Sequence, residues 1–484
     1  MALTFNLTDD TLTYNLHSKT SYVLRTDGTN MGTARQDIVW GESASSHYDA
    51  LAAYVFRNRV WDVEVDIRAT TLDGWVTAYR NIQTMLYRSL EYWRSKGSYG
   101  TRCYLDVSLN GMTNTTRYDV MAGDVDIGQR AWSRLMTITT APIALGVPVR
   151  LTTKPFGRSS ALTTVTSGTL GNNGSSMMSV GATAATGDYT APVRVRVSST
   201  GNDIRGLVLW RRSRGDITKY KPDLNLGVAS SSYFATSTID PANTSTVIVA
   251  DTTAIGGDAR DFKSITALST ALTSAITPAV AMAINANVSA YIGTHRVFMR
   301  GQMRTAPAPW GVRLSYGGQS GTDFANTMVA TGYGTTLSDY CAIDLGTVRI
   351  PARDIPSTAG TSGIFRMQLQ MGWSATGGVY RVDSLLLVPV DDDVLDLKFP
   401  SNVASGNAII VDHIDARPGI AIQASDNSPY DINYTLRHNT MFMQPAGKAS
   451  LWGYLLFDGP ENQMNSSDSV VITADWYPQY AGFA

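Results

Sequence analysis

Glutamate and lysine are scarce in this chain. Its 484 residues include 4 Glu and 8 Lys, against 36 Asp and 31 Arg. Glu and Lys clothe the exposed faces of most helices, so their shortage argues against a helical bundle or a doubly wound α/β enzyme. Charge is also low: 16% of residues are charged, 39 basic against 40 acidic, for a net charge of −1. That balance excludes disorder driven by charge and any broad electrostatic affinity for nucleic acid. Two cysteines, Cys103 and Cys341, form neither a disulfide framework nor a CxxC zinc site. No stretch has the length and apolarity of a membrane span. Met1 to Leu16 alternates polar and apolar residues and lacks the basic and apolar regions of a secretory leader. A soluble product made in a cytoplasm is expected.

What remains is a β composition. Asp, Ser, Thr and the 42 Gly favour turns, while Thr, Val and Tyr favour strands. At roughly 100–200 residues per domain, the length predicts two to four domains. The first 157 residues read as strands with one helix. Val63, Val65 and Ile67 alternate with Asp62, Glu64, Asp66 and Arg68, the pattern of a half-buried strand. From Asp73 to Lys96, the residues Trp75, Tyr79, Ile82, Leu86, Leu90 and Trp93 recur at three-to-four spacing; Thr71 or Asp73 can cap the start and Gly97 the end. Strands are predicted at 104–109, 116–122, 135–140 and 147–153. Residues 158–187, rich in Ser, Thr and Gly, read as a linker. Alternating runs over 188–390 predict a jelly-roll β-sandwich, and 391–484 a small β domain or the completion of the first.

The chemistry-bearing residues are sparse. His17, His47, His295, His413 and His438 form no HExxH and no ligand pair, there is no GxSxG elbow, and the Gly-rich segments lack the Lys-Ser/Thr of a phosphate loop. No catalytic, cofactor or metal site is therefore assigned. Asp391, Asp392, Asp393 and Asp396 offer hard oxygen ligands for calcium, although a solvated turn is preferred. Arg102 beside Cys103 is weak support for a reactive thiol. Trp210, Trp310 and Trp373 are candidates for stacking on sugar rings, or core residues, since each lies within a strand-like apolar run. Arg194, Arg196, Arg211 and Arg212 alternate as an intersubunit face would.

The N-terminal order of elements carries a resemblance: strand Trp61 to Arg68, helix from Leu72-Asp73-Gly74, Gly100 to Gly111 with Tyr104-Leu105-Asp106-Val107, strand Thr116 to Gly123, and the close Val149 to Phe156. It resembles the ring-forming domain of distal tail proteins from long-tailed, siphovirus-like bacteriophages. The end, Val470 to Tyr480, is similar to the closing strand and tail of many such proteins, with Gln479 where Arg is common. The middle resembles the carbohydrate-binding-like jelly rolls inserted in larger members.

The resemblance implies a mainly β fold: a ring-forming sandwich or barrel with one helix, a jelly roll, and a small C-terminal β domain. It implies a non-enzymatic virion protein at the tail tip, a homo-oligomeric, six-fold baseplate hub ring between the tail tube and the host-recognition apparatus. DNA would pass without sequence-specific contact, and Asp124 and Asp126 are the candidates for the lumen. The alternatives are a tail tube protein with decoration domains, a binder of host-surface glycan, and a jelly-roll enzyme that degrades polysaccharide.

Overall fold

A computed structural model describes residues 4–480, apart from 31–35, 42–49, 110–114, 128–132, 134–142, 173–175, 226–233, 238–243, 265–279, 285–287, 306–309, 318–325, 333–338, 351–364, 374–378, 415–418, 425–428, 431–433 and 460–461. The strand expected at 135–140 lies outside them. The fold is mainly β, as the composition predicts.

The first unit is one antiparallel sheet. Its order is Thr13–Asn15, Thr4–Thr8, Cys103–Ser108, Thr116–Val125, Ile143–Thr153, Arg59–Ala69, Tyr22–Asn30. The alternation over Arg59–Ala69 is realised as read: Trp61, Val63, Val65 and Ile67 are buried, while Asp62 faces water. Across this inner face lies the helix Leu72–Arg94, capped by the Thr71 hydroxyl, which accepts from the Gly74 amide. Gly97 takes φ +86°, and its amide returns to the Tyr92 carbonyl, ending the helix as expected. The buried stripe differs from the predicted one at its C-terminal end. Met85 and Ser89 are buried and Leu90 is 42% exposed. The 3.6-residue period favours 82, 85, 86 and 89 over 90, and the Ser89 hydroxyl keeps its bond by donating to the Val120 carbonyl.

Beyond residue 157 the strand pairing departs from the expected boundaries. Ala191–Ser199 lies between Ser469–Trp476 and Ala408–Asp412, and Ile204–Arg212 between Ser450–Phe457 and Asp393–Val403. Residues 191–212 and 393–476 thus build one pair of sheets together, and the intervening residues build two others. In one, Val379–Pro389 and Gly293–Thr305 are central; in the other, Phe365–Trp373 and Trp310–Gly317. Residues 158–187 are not a free linker. Thr163–Thr166 and Leu170–Gly171 pair with Ser469–Trp476, and Met178–Val180 with Ser450–Phe457. Short Thr-rich strands at a sheet edge can keep one face in water, which is why they read as loop.

Ser450–Phe457 is buried at every position. Trp452, Tyr454 and Leu456 join a core with Val193, Val195 and Ile472, whereas Leu451, Leu455 and Phe457 join Phe298, Leu385 and Leu386 of the inserted sheets. A strand covered on both faces carries a continuous apolar run. The chain then returns to its start: Gln479–Tyr480 pairs with Gly157–Ser159, which in turn pairs with Thr116–Val125.

Candidate functional site

The outward residues of Arg59–Ala69 define the most distinctive surface of the first unit. Register places Asp62 opposite Arg150, Glu64 opposite Pro148 and Asp66 opposite Gly146, and on the other side Asp124 opposite Arg150. Asp62, Glu64, Asp124 and Asp126 thereby surround a depression of about 370 Å³ with Val63, Pro148, Val149 and Arg150. The Val63 and Val149 side chains point to the opposite face of the sheet, into the core. The four carboxylates meet one guanidinium within the depression, Arg150, which lies 3.3 Å from Asp62 and is mostly exposed. Such a surface ion pair is screened and weak, so among the described residues the carboxylates lining the groove outnumber its cation. Arg25 pairs with Glu64 at 2.9 Å and Asp66 at 2.7 Å at the far rim. Gly146 makes room for this pairing, since a Cβ there would lie 2.4 Å from Glu64 Oε1. The Tyr79 hydroxyl donates to the Val125 carbonyl and anchors the helix to the rim. Burial first, then Asp124 and Asp126, raises its phenol above the ordinary value.

Asp124 and Asp126, the lumen candidates of the sequence, are thus brought together with Asp62 and Glu64, which the alternation marks only as the polar half of a strand. The alternation showed that they face outward. Which strands flank them is a matter of long-range pairing.

The aspartates at 391–396 are dispersed among separate partners. Asp391 accepts from the Thr294 amide, Asp392 pairs with Arg214, Asp393 with Arg211 and Asp396 with Arg296. Among the described residues no group of three or more His, Cys, Asp or Glu side chains is placed to hold a metal. Trp210 is 1% exposed and packs edge-on against Tyr220, so it is a core residue with no face for a sugar. Trp310 and Trp373 are register partners on neighbouring strands; their side chains lie outside what the structure describes. The arginine alternation is not a free face either. Arg194 pairs with Asp412, Arg211 is buried against Asp393, and buried Arg212 donates to the Ala290 and Ile292 carbonyls.

Cys103 is inert. Burial pushes its thiol up to about 12, and its Sγ lies 3.3 Å from the Met85 carbonyl oxygen. Neighbouring Arg102 turns instead to Asp119. His295 is fully buried, and burial followed by Arg212 lowers it to about 3, so it stays neutral.

No protein-family model matches the chain, and no curated protein matches it. Solved structures show distant likenesses. One is the SPP1 Dit (gp 19.1) protein, described as a paradigm of the hub adsorption apparatus in phages infecting Gram-positive hosts: 7% identity, 80% of this chain, 100% of that one, TM-score 0.24. Another is a chain of the phage P2 baseplate in its activated conformation: 8% identity, 81% and 99% covered, TM-score 0.21. A third is the CBM22-1 xylan-binding domain of Paenibacillus barcinonensis Xyn10C: 10% identity, 37% and 99% covered, TM-score 0.22.

Proposed function

We propose that this chain is a non-enzymatic structural protein of a bacteriophage tail tip, a ring of six copies joining the tail tube to the host-recognition apparatus. The observation that carries the reading is the acidic groove. Duplex DNA is lined by phosphates, and a basic channel would hold it through counterion release, whereas a negative lining lets it slide past. Asp62, Glu64, Asp124 and Asp126 supply such a lining on the first unit, the part of the sequence that resembles a ring-forming domain. The inserted sheets then project from the ring.

Light scattering on the purified protein, with imaging of particles, tests this. A hexameric ring present in virions is the expected result, and a strictly monomeric protein absent from virions overturns it. Replacing Asp124 and Asp126 together by Lys is expected to slow DNA ejection from otherwise intact particles. Unchanged ejection would remove these residues from the lumen.

A second reading, recognition of a surface glycan by the inserted sheets, is favoured by one feature, the adjacency of Trp310 and Trp373 in register. Glycan-array binding by the full chain, lost in the Trp310→Ala, Trp373→Ala double variant, would support it.

A further inference from the structure

The connection from Phe457 to Ser469 fastens the inserted sheets to the sheets that flank them. The Met464 amide donates to the Tyr340 carbonyl at 2.8 Å, Arg300 Nε to the Met464 carbonyl at 3.2 Å, Asn462 Nδ2 to the Ala342 carbonyl at 3.2 Å and the Ser466 hydroxyl to the Thr253 carbonyl at 2.9 Å. Met464 itself is 1% exposed in the core shared by the two parts. Two carboxyl groups bracket this connection. Asp468, fully buried, accepts from the Asn202 side-chain amide through Oδ1, and its Oδ2 has no donor. Asp458 lies within hydrogen-bonding reach of it and lines a polar pocket of about 210 Å³ with Asp339, Tyr340 and Arg300.

A fully buried carboxylate beside a half-buried one is disfavoured as a doubly charged pair, and a single proton between them converts repulsion into a hydrogen bond. We infer that Asp458 and Asp468 share one proton and form a latch that holds the 462–468 segment closed on the inserted sheets at acidic pH and releases it progressively as pH rises to neutrality. The facing groups agree. Asp339 adds negative charge beside Asp458, and the Arg300 guanidinium, which faces Asp468, is already committed to Asp383. Tyr454, close to Asp468, keeps its proton and donates to the Leu170 carbonyl, and Tyr340 donates to Asp251. Burial, then Asp458, pushes Asp468 up to about 7; burial first, and Asp339 besides, raises Asp458.

The sign follows from linkage. The folded pair binds a proton that the unfolded carboxyls give up near pH 4, so stability falls as pH climbs from about 4 to 7 and the gain is gone above that. Hydrogen exchange of the 462–468 amides in the full chain, corrected for intrinsic rate and run in chelator, reads the latch. Opening should increase by up to about tenfold per pH unit between about 4 and 7 and level off above 7. Asp468→Asn, which mimics the protonated acid, should flatten that dependence; Asp458→Asn serves the same purpose if the first variant does not fold. A flat wild-type profile, a variant with the wild-type slope, or protection restored at pH 8 by calcium would each overturn the proton latch.

Discussion

Asp119 is the most heavily committed side chain in the first unit. It is 3% exposed, with Arg102 at 2.8 Å, Arg158 at 3.2 Å and Lys154 at 3.4 Å. Burial works to raise its pKa, and Arg158, Arg102 and Lys154 overcome it, holding the carboxyl well below the usual carboxylate range. Removing the anion strands cations that are themselves largely buried, which costs roughly 3–5 kcal/mol at such sites. Asp119→Asn should show that loss in urea denaturation at pH 7. A depressed pKa contributes stability above the unfolded value and loses it as pH falls, so the wild type should weaken below about pH 4 and the variant should lack that component. Nothing in the linear sequence marked Asp119. Its partners stand at 102, 154 and 158, and only the pairing of Thr116–Val125 with its neighbours brings them together.

At the scale of elements, the strand Ser450–Phe457 shows how a doubly covered strand constrains its residues. Gly453 stands opposite Trp210, and a Cβ there would come within 2.0 Å of the indole. Gly453→Ala must push a fully buried ring, and overpacking of this kind costs about 1–3 kcal/mol. The expected readout is a lower denaturation midpoint with an unchanged slope. The helix Leu72–Arg94 and the strand Arg59–Ala69 were legible from periodicity because one face of each meets the core and the other meets water. For Trp210 the sequence leaves stacking and core burial open for the converse reason: in Ile204–Arg212 both faces are covered, so an apolar side chain carries no information about which way it points. The same limit explains the aspartates at 391–396, whose runs of charge suggested a shared ligand set while each carboxylate serves a different arginine or amide.

For the whole molecule, the return of the chain to its first unit is decisive. Tyr477 lies under the Arg158 guanidinium, 3.9 Å from the ring centre, and Ser159 donates its amide to the Pro478 carbonyl. Removing residues 477–484 deletes this closure along with the pairing of Gln479–Tyr480. The first unit keeps its own core, so calorimetry should resolve a separate transition for it that the full chain merges with the rest. Tyr477→Ala alone should lower stability by a smaller amount, about 0.5–2 kcal/mol, the range for cation–π contacts.

The sequence by itself determined the class of fold, the single long helix with its caps, and the inward and outward faces of strands such as Arg59–Ala69. These depend on period and propensity within a few residues, which a linear pattern records. Only the tertiary structure decided that 191–212 belongs with 393–476, that Asp62 and Glu64 share a groove with Asp124 and Asp126, and that Asp458 and Asp468 meet. Strand partners are chosen by complementary faces and loop closure over hundreds of residues, and an alternating run is compatible with many partners until the whole core is assembled.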